Sequence, residues 1–129
     1  MKAQGYGRIV NIASVLSVMG RASIQPYTLS KHGIHGLTKG LATELGPCGI
    51  TVNAIAPGYM ETEMTKVLQE NEGFNKFVLT RTPVGRWGTG TDLAGPVLLL
   101  VSGAGSYING HMIVVDGGMT TALCDSLLT

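Results

Sequence analysis

Three short, β-branched segments alternate with two apolar helical stretches, and this alternation restricts the chain to few architectures. Residues 8–13 (RIVNIA), 50–56 (ITVNAIA) and 112–115 (MIVV) each read as a buried strand. Between the first two, residues 26–45 read as a helix. Leu37, Leu41 and Leu45 recur every four residues, Ile34 precedes them by one turn, Pro26 suits a start and Gly46-Pro47 a stop. Before the third strand, residues 92–102 contain the run VLLLV and read as a second helix, with Thr91 as N-cap and Pro96 in its first turns. Strand, helix, strand, helix, strand is the order of an α/β parallel sheet. Right-handed crossovers bring its strand C-termini to one edge, where such sheets bind ligands. Ser14 and Pro57-Gly58 directly follow strands, so they are expected to meet at that edge.

The intervening segments are less regular. Residues 61–71 read as a polar, acidic helical stretch and residues 83–90 as a glycine-rich loop around Trp87. The tail after Met119 carries no clear signal. Gly33, Gly36 and Gly40 form one stripe on the first helix, which predicts close packing of that helix against another backbone.

Composition narrows the function classes. Hydrophobic residues make up 44% and charged residues 13% of the 129-residue chain, against roughly 25% charged in an ordinary domain. That excludes a disordered chain, and the 19 glycines have no three-residue period that would suggest collagen. A net charge of +1 provides no electrostatic footprint for nucleic acid or an anionic membrane. The longest apolar run, residues 97–101, is far short of the roughly 18 residues of a membrane span. Cys48 and Cys124 have no metal-ligand or C-x-x-C spacing and read as free thiols of a cytoplasmic protein. Length and pattern together predict one domain over residues 1–129.

The chemistry-bearing pair is Tyr27 and Lys31, four apart on one helix and therefore on one face. An ammonium beside a phenol favours negative charge on the phenolic oxygen, which suits proton exchange near neutral pH. Ser14, at the preceding strand end, is placed to hydrogen-bond a reacting oxygen. His32 and His35 are three apart, but no third ligand has a suitable spacing, so no metal is expected. Tyr59 is a candidate pocket wall. Trp87 is either a pocket lining or packing beneath its loop.

The order GRIVNIAS, a thirteen-residue step from Ser14 to Tyr27 within YTLSK, then VNAIAPG, resembles the short-chain dehydrogenase/reductase family. The likeness runs from Gly7 to about Met119. It implies that Ser14 orients a substrate carbonyl, that Tyr27 is the acid/base, and that Lys31 supports Tyr27 and binds the nicotinamide ribose. It further implies that Pro57, Gly58, Met60 and Thr62 lie beside the nicotinamide of NAD or NADP. Asn53 matches a structural asparagine of the family, and Asp116-Gly117-Gly118 its late D-G-G turn. Glu61, Glu63, Glu70 and Glu72 fall where relatives have a substrate lid, although a solvated helix face is the simpler reading. The segments RTPVGRWG and INGHMIVVDGG resemble gluconate 5-dehydrogenases, with 3-oxoacyl-carrier-protein reductases nearly as similar.

The family's glycine-rich pyrophosphate turn has no counterpart here: Gly85, Gly88 and Gly90, and Gly103, Gly105 and Gly110, are wrongly spaced. The resemblance is therefore to the C-terminal half of a Rossmann-like doubly wound sheet, about three strands with flanking helices. On this reading residues 1–129 are expected to form a single partial Rossmann-like domain without the phosphate-binding half. An open strand edge and uncovered apolar surface predict a homo-oligomer. The expected function is reversible NAD(P)-dependent hydride transfer on a secondary alcohol or ketone, a sugar acid or 3-oxoacyl substrate. Two alternatives stand beside it. One is a cofactor-free esterase with Ser14 as nucleophile assisted by Tyr27 and Lys31. The other is an inactive fragment that self-associates.

Overall fold

The computed structural model describes residues 1–123 and contains a three-stranded parallel sheet in the order β1 (Gly7–Ile12), β2 (Ile50–Pro57), β3 (Met112–Val115). The register pairs Gly7 with Ile50 through Ile12 with Ile55, and Ala54 with Met112 through Pro57 with Val115. The central strand β2 is nearly all small or β-branched because it is covered on both faces, and Val52, Ala54, Ile55 and Ala56 are fully buried.

Helix α1 (Gln25–Leu45) crosses from β1 to β2. Its Ala42 and Leu45 pack on Ile50 and Val52, and its Ile34 packs on Ala13, Ala54 and Met112. Thr38 is buried in this seam, where it donates to the Ile34 carbonyl and accepts from Asn11 Nδ2 at 3.0 Å. Helix α4 (Ala94–Val101) packs on β1 and β2, with Leu100 fully buried. The loop before β3 is fastened to β2 by Asn53, whose Nδ2 donates to the Ile108 carbonyl and whose Oδ1 accepts from the His111 N–H.

Three local expectations are corrected. The glycine stripe packs against nothing among the described residues: a Cβ at Gly33, Gly36 or Gly40 would meet open space. The buried seam of α1 runs through Ile34, Thr38, Ala42 and Leu45, and the glycines lie off it beside the exposed Leu29 and Leu37. The second helix is capped two residues earlier than Thr91. Thr89 caps a 3-10 turn, Gly90–Leu93, because Asp92 reaches back to the Thr89 N–H and hydroxyl. The acidic stretch is a 3-10 turn, Glu63–Thr65, followed by α2 (Lys66–Glu70), and a separate helix, α3 (Glu72–Arg81), comes next.

The outer edge of β1 pairs with no described strand, and Ile12 on it is half-exposed. Among the described residues no helix is long and apolar enough to cross a membrane. Cys48 is a free thiol, and Cys124 lies outside the described residues.

Candidate active site

Ser14 leaves β1 in extended conformation and caps the 3-10 turn Val15–Ser17, its Oγ accepting from the Leu16 N–H at 3.1 Å. A hydroxyl carries one donor hydrogen as well as its acceptor lone pairs. That hydrogen has no partner among the described residues, so buried Ser14 keeps a donor in hand. Neither Tyr27 nor Lys31 hydrogen-bonds it.

Tyr27 and Lys31 stand in the first two turns of α1, and the Tyr27 ring is half-exposed. Lys31 Nζ lies 5.5 Å from the Tyr27 ring centroid and donates to the Ile12 carbonyl at 3.0 Å. Two of its three hydrogens remain. The helix is held in place by Ser17, whose Oγ donates to the Lys31 carbonyl at 2.7 Å.

Pro57 ends β2, and the Gly58 N–H continues the ladder to the Val115 carbonyl at 2.9 Å. A Cβ on Gly58 would lie 2.8 Å from Asp116 Cα, so only glycine allows these two strand ends to approach so closely. Met60 bridges to Gly88, and Thr62 shares a capping box with Thr65. Ser14, Tyr27, Lys31, Pro57, Gly58, Met60 and Thr62 all line one cleft of about 300 Å³. The structure thus brings together every expected site residue at the C-terminal edge of the sheet.

An apolar pocket of about 290 Å³ adjoins this cleft, and both share Val15, Leu16, Arg21 and Tyr59 as walls. Phe74 and Phe77 line it as well, and the Tyr59 ring meets Phe74 edge-on at 5.4 Å. Tyr59 is a pocket wall, as expected. Trp87 lines neither space. It is buried against Val78 and Met119, and its Nε1 donates to Asn75 Oδ1 at 2.7 Å.

Sequence reasoning missed α3, which supplies Phe74 and Phe77 to this pocket. The signal was present: Asn71 caps the helix by accepting from the Phe74 N–H, and Phe74, Phe77 and Val78 follow at helical spacing. Arg21 was also missed. Among the described residues no three His, Cys, Asp or Glu side chains gather to hold a metal. His35 titrates below its ordinary value, chiefly because of burial and then through repulsion by Lys39, His32 and His111.

A protein-family model described as enoyl-(acyl carrier protein) reductase matches residues 1–120. The chain is 48% identical over 118 residues to a 2-dehydro-3-deoxy-D-gluconate 5-dehydrogenase of Bacillus subtilis, covering 92% of this chain and 46% of that protein. It is 46% identical over 123 residues to a gluconate 5-dehydrogenase of Gluconobacter oxydans, covering 95% of this chain and 48% of that protein. The crystal structure of a gluconate 5-dehydrogenase from Burkholderia cenocepacia, in complex with NADP and tartrate, superposes with a TM-score of 0.92 at 41% identity. That match covers 95% of this chain and 48% of the other. The fold is α/β and Rossmann-like, as in these dehydrogenases. The chain belongs to the short-chain dehydrogenase/reductase family. It spans about half the length of the curated relatives it matches.

Proposed function

We propose that this chain is the catalytic half of an NAD(P)-dependent oxidoreductase that interconverts a ketone and a secondary alcohol on a small sugar acid. The observation that carries the reading is the meeting of the Ser14 hydroxyl, the Tyr27 phenol and the Lys31 ammonium in one cleft floored by Pro57 and Gly58. The substrate class is supported by the relatives, which are named for gluconate and 2-dehydro-3-deoxy-D-gluconate.

A nicotinamide dinucleotide, when bound, supplies or accepts the hydride. In the reducing direction the substrate carbonyl oxygen accepts a hydrogen bond from Ser14 Oγ. Tyr27 gives its phenolic proton to that oxygen as the alcohol forms. The positive charge of Lys31 lies beside the ring and favours the negative charge left on Tyr27. In the oxidising direction Tyr27 takes the proton back.

The described residues fit the nicotinamide riboside end of such a cofactor. Lys31 has two hydrogens free for ribose hydroxyls, and Pro57, Gly58, Met60 and Thr62 wall the same cleft. They do not fit its pyrophosphate: the turns after β1 and β2 hold isolated glycines, Gly20 and Gly58, rather than a glycine-rich helix entry. The reading therefore assigns residues 1–129 to a partial Rossmann-like domain. The open edge of β1 and the exposed Leu29 and Leu37 support self-association of the chain.

The test is calorimetric titration of the chain with NADH and NADPH, followed by turnover of 5-keto-D-gluconate. Cofactor binding with turnover that Tyr27→Phe abolishes supports the reading. No binding at millimolar cofactor overturns it for the chain by itself.

A further inference from the structure

Arg21 belongs to neither the Ser14–Tyr27–Lys31 group nor the residues assigned to the nicotinamide. It stands where the catalytic cleft opens into the apolar pocket, and it lines both. Its guanidinium lies over the Phe74 ring, 4.7 Å from the centroid. A cation over a ring face is held by attraction to the ring's electron density, and none of the Arg21 N–H donors has a hydrogen-bond partner among the described residues. No carboxylate among the described residues pairs with it, and no acidic residue lines the cleft. The other cation there, Lys31, donates to the Ile12 carbonyl and lies beside the Tyr27 ring, and its remaining hydrogens are those assigned above to the cofactor ribose.

A half-buried guanidinium with unpaired donors, lining a cleft to which no described residue contributes an acidic side chain, is complementary to a planar anion that accepts two parallel hydrogen bonds. We infer that Arg21 is the substrate-carboxylate anchor of this cleft, so that the site selects acids over the corresponding neutral polyols and ketones. This rests on the sugar-acid reading above and names the residue that enforces it. Arg21 acts by positioning: it exchanges no proton with the reacting carbon or oxygen, and its hold on the carboxylate sets which carbonyl of the substrate reaches Tyr27.

Direct binding tests the inference separately from hydride transfer. Gluconate and its uncharged counterpart sorbitol are titrated into the chain by calorimetry, for the wild type, Arg21→Gln and Arg21→Lys. Circular dichroism confirms that each variant is folded. A charge-assisted pair of this kind predicts a preference for gluconate of about tenfold or more in the wild type. Arg21→Gln should abolish the preference while leaving sorbitol binding unchanged, and Arg21→Lys should restore part of it because the charge returns without the fork. Tyr27→Phe should retain the preference, since the phenol is not the anchor. Equal binding of the two ligands by the wild type, no gluconate binding at millimolar concentration, or an undiminished preference in Arg21→Gln would each overturn the inference. So would a loss in Arg21→Gln of NADPH affinity with gluconate affinity unchanged, which would move Arg21 to the cofactor. If carboxylate selection holds but no 5-keto-D-gluconate is turned over, the hydride-transfer reading fails and the anchor stands.

Discussion

Lys31 Nζ donates a 3.0 Å hydrogen bond to the carbonyl of Ile12, the last residue of β1. One side chain thus ties the first turns of α1 to the end of the strand that delivers Ser14. The same ammonium lies 5.5 Å from the centre of the Tyr27 ring. Replacing Lys31 would therefore disturb strand, helix and phenol together, so Tyr27 is the cleaner probe of chemistry.

Tyr27→Phe should separate activity from folding. Tyr27 is 47% exposed and its hydroxyl makes no hydrogen bond among the described residues. Removing one oxygen from such a position should change stability by less than about 0.5 kcal/mol. On the proposed mechanism, turnover should fall by about 10²-fold or more. Urea denaturation and a ketone-reduction assay on the same preparation check both halves.

Asn53→Ala should have the opposite character. Asn53 is 1% exposed, and its amide satisfies both the Ile108 carbonyl and the His111 N–H. Truncation leaves two buried backbone groups without partners, each costing about 1–3 kcal/mol. The chain should lose about 2–4 kcal/mol in chemical denaturation, and the loop that leads into β3 should lose hydrogen-exchange protection.

Gly36→Ala reports on assembly. A Cβ there meets nothing within 4 Å, so in a free chain the substitution should stabilise α1. Alanine exceeds glycine in a helix interior by about 0.5–1 kcal/mol. If copies associate through the glycine face, the added methyl should instead weaken the association seen in sedimentation velocity. A rise in thermal midpoint with an unchanged sedimentation profile would place the glycine face outside any self-contact.

Asp92 makes the loop before α4 sensitive to acid. Its carboxyl is held well below the usual range, first by the Arg86 guanidinium at 2.8 and 2.9 Å, then by the Thr89 N–H and hydroxyl. A carboxyl depressed in the folded state stabilises it fully above the unfolded-chain value of about 3.9, and that contribution is lost progressively as pH falls from there through the lower folded-state value. Asp92→Asn should lower the thermal midpoint by a constant amount above about pH 5, and the gap should begin to narrow below about pH 4. The pair is solvent-exposed, so the gap should be small and should shrink further in salt.

The strand and helix order, the parallel sheet and the meeting of the candidate site residues at one edge were legible in the sequence because each rests on local signals. Residues 50–56 are apolar apart from Thr51 and Asn53, since β2 is covered on both faces. Ser14, Pro57 and Gly58 follow strand ends directly, and parallel strands deliver their C-termini to one edge. Tyr27 and Lys31 share a helix face through spacing alone.

Tertiary structure decided the rest. Spacing identified the stripe of Gly33, Gly36 and Gly40, but the sheet chose the seam through Ile34, Thr38 and Ala42 as the buried side of α1. Which of two apolar stripes is covered depends on the partner surface, and no helix carries that information by itself. Arg21 escaped notice for the same reason. Its place between cleft and apolar pocket depends on Phe74 arriving from a helix more than fifty residues away, and that meeting exists only once the chain is folded.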